Sequence, residues 1–599
     1  MAGSSAICMM VVLAAVTIGL LQIFSGSRKS YQTRNEDAYN VNSASFMEER
    51  EKFFNDVYGS KRIVKVRDGV HVAIGYALAN VILLEGIDGF VMVDCTESSS
   101  VAVNLYKEFR KMTKKPLKGI IITHSHADHI TGASAILKEI DSADKIPVFM
   151  HSSSAEETKL NRVTSGSAFK RASRQFGIHI EPKPKMTFSF DSSYPQVEAT
   201  HTYDKEATYE IAGMTIQSIH TPGETHDHTT VWLPEWKVVL PADNIYEMFP
   251  NMYTLRGIPP RKSEIWLRSL DRVRSLGAEH MIPSHTRPVS GKEEVDDTLT
   301  HYRDAIQFVQ DQTLRYINQG LSVEEIVEKV QLPASLARHP FLKEYYGTVA
   351  WTVRGIYTSY LGWFNGDPVN LNPLSNQKRG KRLIKLLDAE KILQEARKSL
   401  ELSLEEFKKT GYPLPEELQW ALELSSYVSN ANPSSSIFSE AKEVKVAALK
   451  ALGTISVNTN AKNYYLTCAR ELEDLVIKMD PDLRKSLLML LKVEDIMAAF
   501  PIRFKAEECD DKLVIKILFN FTDVKQNHLY TMRHCVLEYE YNPNAMPSGL
   551  DAKLVTTSTI WKEILTNKRS AVGAYATGDI AVEGSMITFK RFMDLLAKE

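Results

Sequence analysis

Between Ile122 and Gly132 the chain reads ITHSHADHITG, and four of its side chains, His124, His126, Asp128 and His129, are of types that bind cations. The apolar run GIIITH leads into them as a β-strand would. On an extended backbone alternate residues share a face, so His124 and His126 can clasp one ion while Asp128 and His129, at the following turn, point to a second. HxHxDH is the spacing of a dinuclear metal centre. Such a centre lowers the pKa of bound water toward about 7 and presents it as a nucleophile, which is hydrolytic chemistry. The five cysteines, Cys8, Cys95, Cys468, Cys509 and Cys535, have no CxxC spacing, which argues against both a cysteine zinc site and a disulfide framework. His and carboxylates must therefore hold any metal.

These residues need a scaffold to position them. At about 100 to 200 residues per domain, a chain of 599 residues has room for several domains. With 44% hydrophobic and 24% charged residues it reads as globular. Lys plus Arg number 72 against 74 Asp plus Glu, so there is no net basic field to hold nucleic acid, which is excluded as a partner. From Arg62 to about Ile282 short apolar strands alternate with amphipathic helices, the signature of an α/β layered domain. Helical patterns dominate from His301 to Lys478, and the basic run Lys378 to Lys385 reads as a solvated helix face. After Pro481, Leu513, Ile515, Ile517, Phe519 and Phe521 alternate with their neighbours as in a half-buried strand, which predicts a closing α+β domain. Near the start, residues 6 to 24 carry no charge and approach bilayer-spanning length. With Arg28 and Lys29 following, they predict a single-pass N-terminal anchor with the bulk cytosolic. The alternative is a signal segment leading to the secretory pathway or the extracellular side.

The HxHxDH segment resembles the metallo-β-lactamase superfamily, and HTPGETHDH, VVLPADN and MIPSHTRP stand where that family carries its later ligands. A carboxylate after the TPG turn is similar to the alkyl sulfatase branch. The resemblance implies His124, His126 and Glu224 on one ion, Asp128, His129 and His285 on the other, and Asp243 between them. His226, Asp227 and His228 crowd the same loop and remain alternatives to Glu224. Two divalent ions bring four positive charges, the three carboxylates remove three, and a bridging hydroxide would make the core neutral. Oxygen and imidazole ligands suit two Zn2+ per chain without excluding iron or manganese. In FPNMYTLRGIPPR, the resemblance implies that Arg256 and Arg261 hold the sulfate ester, with guanidinium forks matching a tetrahedral oxyanion. His151 either lines the cleft, supports a ligand or is structural.

The resemblance implies an N-terminal αββα metallo-β-lactamase sandwich, a central all-α dimerisation domain and a C-terminal α+β domain similar to sterol carrier protein type 2. The expected bounds are 1–30 anchor or signal segment, 31–50 linker, 51–300 catalytic, 301–480 dimerisation and 481–599 lipid-binding. Trp561, Ile564, Leu565, Phe589, Phe592 and Leu596 supply apolar faces that either line a tunnel or fill a core. The expected activity is a homodimeric zinc hydrolase, with Asp128, Arg256 and Arg261 in catalytic roles, cleaving linear amphiphilic alkyl sulfates to alcohol and inorganic sulfate. The alternatives are hydrolysis of another ester (lactone, thioester or phosphoester) and a non-enzymatic lipid carrier. Relatives of this branch are expected to place a His and a Tyr near the scissile oxygen, where this chain has Trp351 and Trp363. Indole is no general acid, which turns attention to Tyr357 or Tyr360.

Overall fold

The computed structural model describes residues 44–140, 145–163, 165–186, 191–411, 413–431, 434–476, 481–544 and 548–596. The apolar runs of the first half fold into two sheets. The first holds β1 (Arg62–Arg67), β2 (Val70–Ile74), β3 (Val81–Glu85), β4 (Phe90–Val93), β5 (Leu117–Ile121), β6 (Val148–His151) and β7 (His201–Tyr203) in that spatial order. Strands β1 to β4 form an antiparallel meander, and β4 to β7 run parallel. The second sheet holds β8 (Glu206–Ile211), β9 (Met214–His220), β10 (Thr229–Leu233), β11 (Val238–Ala242), β12 (His280–Pro283) and β13 (Val289–Ser290), again in order, with only β11 and β12 parallel.

The period of two along each strand explains the layering. Ile82, Leu84, Val91 and Val93 meet Ile216, Val231, Leu233 and Leu240 between the sheets. Their neighbours Val81, Leu83, Phe90 and Met92 turn outward onto Leu105 and Phe109 of the Ser99–Met112 helix and Ile136. On the other outer face, Trp232, Val239 and Met281 pack against Trp266, Leu270, Tyr302 and Ile306 of the helices Ser263–Ser275 and Lys292–Asn318. The result is the expected αββα sandwich. Gly132, which closes the histidine motif, allows a close approach in it: a Cβ there would run into the Cys95 carbonyl oxygen and Ala102 Cβ.

Helices Ala389–Thr410, Pro415–Asn430 and Ser435–Ile455 then share a core of Leu393, Ala421, Val428, Ala441 and Ala448. Many of these contacts come from Ala, which lets the helices approach closely. The chain ends in an α+β domain whose sheet has the order β16-β15-β14-β17-β18, with β14 (Ile515–Phe521), β15 (Gln526–Arg533), β16 (Val536–Tyr541), β17 (Ala552–Thr556) and β18 (Ala581–Gly584). Trp561, Phe592 and Leu596 are buried in its core, and Ile564, Leu565 and Phe589 pack against it.

Two expectations need correction. The apolar stretch 6–24 lies outside the described residues, and among the described residues no helix is long and apolar enough to cross a membrane. A single-pass anchor, a membrane partner and a membrane location are therefore not supported. An uncharged run of that length reports affinity for apolar surroundings and does not say which ones. The second correction concerns cysteine. Cys509 and Cys535 form a disulfide, with Cα atoms 5.7 Å apart. His534 and Cys535 make the two-residue turn between β15 and β16, both with positive φ. That turn carries Cys535 to Cys509, just after the turn Ala506–Glu508, a proximity that spacing along the chain cannot reveal.

Because the bridge closes a loop of 26 residues, its removal by Cys535→Ser should destabilise the C-terminal domain by roughly 3 kcal/mol in chemical denaturation. Peptide mapping of unreduced protein should return a cross-linked Cys509–Cys535 peptide; free thiols at both positions would contradict the bridge.

Candidate metal centre

The ligand-type residues lie where strands of both sheets end on one edge of the sandwich. Strand β5 stops at Ile121, and the extended backbone carries on through His126 (φ −65°, ψ 147°) into the one-turn helix Ala127–Ile130, which holds Asp128 and His129. Glu224 follows β9, Asp243 follows β11 and His285 follows β12. The pairing β9-β10-β11-β12 makes β9, β11 and β12 point the same way, so their following loops converge.

Two groups result. In one, His124, His126, Glu224 and Asp243 offer ligand atoms within 4.8 Å of one another; in the other, Asp128, His129, Asp243 and His285 do the same. Glu224 Oε2 lies 3.0 Å from His126 Nδ1 and 3.7 Å from His124 Nε2. Asp243 Oδ2 lies 3.8 Å from His124 Nε2, 3.4 Å from His129 Nε2 and 3.2 Å from His285 Nε2, so one oxygen belongs to both groups. Asp128 Oδ2 is 3.5 Å from His129 Nε2 and 3.4 Å from His285 Nε2. His129 Nε2, Glu224 Oε2 and Asp243 Oδ1 are buried without a hydrogen-bond partner, a costly state that cations between them would relieve. The donor set therefore fits metal ions.

A second layer fixes the imidazoles. Asp94, at the end of β4, accepts from His129 Nδ1 at 2.8 Å, Thr123 N and Oγ1 at 2.9 Å each, and Ser284 Oγ at 3.0 Å. His285 Nδ1 donates to the Leu78 carbonyl at 2.9 Å, and His124 Nδ1 lies 3.1 Å from Thr123 Oγ1. Each of these three rings is held through the nitrogen that points away from the groups, which leaves Nε2 to face them. Sequence reasoning missed Asp94, Thr123 and Ser284; the signal available was a carboxylate ending the strand FVMVDC.

The charges are strongly coupled. Burial opposes a charged His285, but Asp243 and Asp128 overrule it and push the imidazole up to about 10. His129 is raised well above its ordinary value against burial by Asp243, Asp128 and Asp94. Burial would raise Asp243, yet His285 and His129 hold it well below the usual carboxylate range. Glu224 is likewise lowered against burial, chiefly by Arg261 and His126.

The alternatives to Glu224 fall elsewhere. His226 lies 3.4 Å from Ser153 Oγ, and its carbonyl accepts from His220 Nε2 at 2.6 Å. Asp227 is buried outside both groups. His228, lowered to about 4 mainly by burial and so neutral, accepts the Asp243 N–H on Nε2 at 3.1 Å. His151 donates or accepts at Ser153 Oγ and lies 2.9 Å from the Asp204 carbonyl, away from the ligand atoms.

The two arginines differ. Arg256 is half-buried, with Nη2 3.1 Å from His126 Nε2 and Nη1 donating to Thr254 Oγ1 at 3.0 Å. Arg261 is buried, ion-paired with Glu224 Oε1, and donates to the Asn251 carbonyl at 2.6 Å. Trp363 is 74% exposed, Tyr360 is exposed, and the buried Tyr357 donates to the Asn365 carbonyl at 3.3 Å. Trp351 sits half-buried in the first turn of the helix Val349–Leu361.

A further grouping, Asp297, His301 and His339, lies apart from this centre. The Phe341 N–H donates to His339 Nδ1 at 3.3 Å, which leaves that ring's proton on Nε2, 3.3 Å from Asp297 Oδ2. It is a hydrogen-bonded clamp between two helical segments.

Residues 75–285 match the metallo-beta-lactamase superfamily, 322–474 the alkyl sulfatase dimerisation family and 482–599 the alkyl sulfatase C-terminal family. A linear primary-alkylsulfatase from Pseudomonas sp. is 31% identical over 542 residues, covering 85% of this chain and 97% of its own. The alkyl/aryl-sulfatase BDS1 from Saccharomyces cerevisiae is 25% identical over 91% of this chain and 83% of its own. The solved stereoselective inverting sec-alkylsulfatase Pisa1 from Pseudomonas sp. superposes with a TM-score of 0.79 at 24% identity, over 90% of this chain and 85% of its own, and so shares the fold. The order of the three matches along the chain and the near-full-length similarity to the primary-alkylsulfatase place this chain in the alkyl sulfatase family of metallo-β-lactamase-fold hydrolases.

Proposed function

We propose that the chain is a dinuclear zinc hydrolase that cleaves linear alkyl sulfate esters to an alcohol and inorganic sulfate. The observation that carries this reading is the shared Asp243 oxygen between two ligand groups, with Arg256 hydrogen-bonded at their rim. His124, His126 and Glu224 would hold one ion, Asp128, His129 and His285 the other, and Asp243 both. When bound, the ions supply Lewis acidity and acidify water. Relatives named as primary, secondary and alkyl/aryl sulfatases support a sulfate ester as substrate.

This chain's own residues divide the remaining work. Arg256 presents its guanidinium beside the ligand groups, where it orients the monoanionic sulfate. Arg261 is committed to Glu224 and Asn251, so it acts through Glu224, fixing that carboxylate with Oε2 turned toward the imidazoles. Asp94 does the same for His129. Residues 51–300 would form the catalytic part, 301–480 the dimerisation part and 481–599 a closing domain. A homodimer agrees with the dimerisation-family match and with the exposed Leu361, Trp363, Leu371 and Leu374 around the end of the helix Val349–Leu361.

Elemental analysis of purified protein should give about two zinc ions per chain, and His126→Ala or His129→Ala should remove one and abolish hydrolysis. Full activity after exhaustive chelation would overturn the metal mechanism. Arg256→Glu should lower kcat/KM for dodecyl sulfate by about 100-fold or more while both ions stay bound, since it removes a donor from the anion; an unchanged rate would exclude Arg256 from sulfate binding. In metal-free protein His129 and His285 keep their protons at neutral pH, because both pKa values are raised, His285 to about 10. Loading at pH 7 should therefore release about two protons, read by calorimetry in buffers of different ionisation enthalpy, and zinc affinity should rise with pH. The same ion pairing stabilises the metal-free fold fully below about pH 6.5 and fades as pH rises through about 10.

A further inference from the structure

One cluster that packs near the ligand-type residues draws on chain from outside both sheets. The helix Ala44–Tyr58 begins within the stretch expected as a linker. It crosses the segment 343–347 and the entry to the helix Thr459–Leu472. Arg50 Nη1 donates to the Ser456 carbonyl at 3.0 Å, and Phe53 and Phe54 place their rings 5.2 and 5.9 Å from that of Tyr345. Asn458 Nδ2 donates to the carbonyls of Glu344 at 2.9 Å and Tyr346 at 3.0 Å, and Asn460 Nδ2 donates to the Tyr346 carbonyl at 2.9 Å. From the catalytic side, Phe249 N donates to Lys343 O at 2.8 Å and Gly347 N to Phe249 O at 3.1 Å. The fit at Gly347 is so close that a Cβ would run into the Pro250 carbonyl. Two buried amide side chains thus serve to hold backbone carbonyls, which fixes the Tyr346 Cα without help from its side chain.

The side chain so presented is only partly buried, against the apolar cluster of Phe54, Leu78, Tyr246, Met248, Tyr345 and Val457. Its ring lies 5.8 Å from Tyr246, whose ring lies 6.3 Å from His285. Arg256, Arg261, Glu224 and Asp128 are the charged groups that act on its phenol. Tyr246, by contrast, already accepts the Asn251 N–H at 2.9 Å. Behind them, Tyr58 Oη is buried without a partner, within the fields of Tyr346, Asp243 and Asp128.

We infer that Tyr346 is a catalytic residue whose phenolic O–H donates a hydrogen bond to an oxygen of the sulfate ester oriented by Arg256. This rests on the proposed function. A sulfate ester is acceptor-only, and one guanidinium cannot satisfy all its oxygens, so a neutral donor adds directionality without adding charge. Burial raises the phenol above its ordinary value, which keeps the proton in place at neutral pH. The residues expected to assist from the helix Val349–Leu361 are occupied or exposed, so the donor comes from the segment preceding it.

Tyr346→Phe in the full-length, zinc-loaded enzyme removes one O–H and little else. We expect kcat/KM for dodecyl sulfate to fall about 10- to 100-fold, mostly in kcat, with inorganic sulfate inhibiting several-fold more weakly and both zinc ions retained. Asn458→Ala, which loosens the Tyr346 backbone, should give a smaller loss of the same kind that adds nothing when combined with Tyr346→Phe. Wild-type rates and sulfate inhibition in Tyr346→Phe, or loss of zinc along with activity, would overturn the inference. If the wild-type enzyme turns over no sulfate ester at all, the proposed substrate fails; if it does and Tyr346→Phe is indifferent, only the role of Tyr346 fails.

Discussion

One carboxylate oxygen, Asp243 Oδ2, stands within 3.8 Å of three imidazole nitrogens drawn from two different loops. Everything around it follows from the difficulty of keeping such a group buried. A carboxylate loses several kcal/mol of hydration inside a protein unless opposite charge and hydrogen bonds replace water. Here the replacement comes from His129 and His285, which Asp243 in turn holds protonated, and from ligand atoms left without hydrogen-bond partners that divalent ions would satisfy. Asp94, Thr123 and Ser284 then form a second polar layer, itself fully buried, that aims His129 through Asp94 and His124 through Thr123. A sandwich that brings strand ends from both sheets to one edge is the scaffold on which this is possible.

The first group of ligands was legible in the chain because it is local: His124, His126, Asp128 and His129 occupy six consecutive positions, and the alternation of an extended backbone decides which share a face. Glu224, Asp243 and His285 are each one residue in a separate loop, so only family resemblance could single them out. Even then, Glu224 could not be separated from His226, Asp227 and His228 until the turn after β9 was seen to direct them elsewhere. Layering was legible from periods of two and three-to-four residues. Three features were not. Asp94 pairs with His129 across 35 positions. The Cys509–Cys535 bridge depends on a hairpin turn, and the apolar stretch near the start could not by its composition name the surroundings it enters.

The two arginines show how one residue type enters two different surroundings in a single loop. Arg256 and Arg261 are five positions apart in one loop, and both are guanidinium groups. Burial separates them. Arg261 sits against Trp266 with its centre 6.0 Å from the indole ring and spends its terminal nitrogens on Glu224 and Asn251. Arg256 remains at the rim, where its contacts are a threonine hydroxyl and an imidazole nitrogen, both exchangeable for an anion's oxygens. The same residue type therefore braces a carboxylate of the ligand groups in one case and stands at their rim in the other.

The loops that carry the ligand-type residues leave the same edge of the sandwich, and chain from outside both sheets packs beside them. The helix Ala44–Tyr58, the segment 343–347 and the residues Ser456 to Asn460 meet there in one apolar cluster, although they are separated by hundreds of positions in sequence. Each alone is a short element with little to bury. Together they hold two tyrosines, Tyr58 and Tyr346, within the electrostatic reach of Asp128. On the inference that Tyr346 meets the substrate, the helical domain would contribute to the site as well as offer a surface for pairing. The buried asparagine side chains at 458 and 460 satisfy main-chain carbonyls of this segment that would otherwise be buried without these donors.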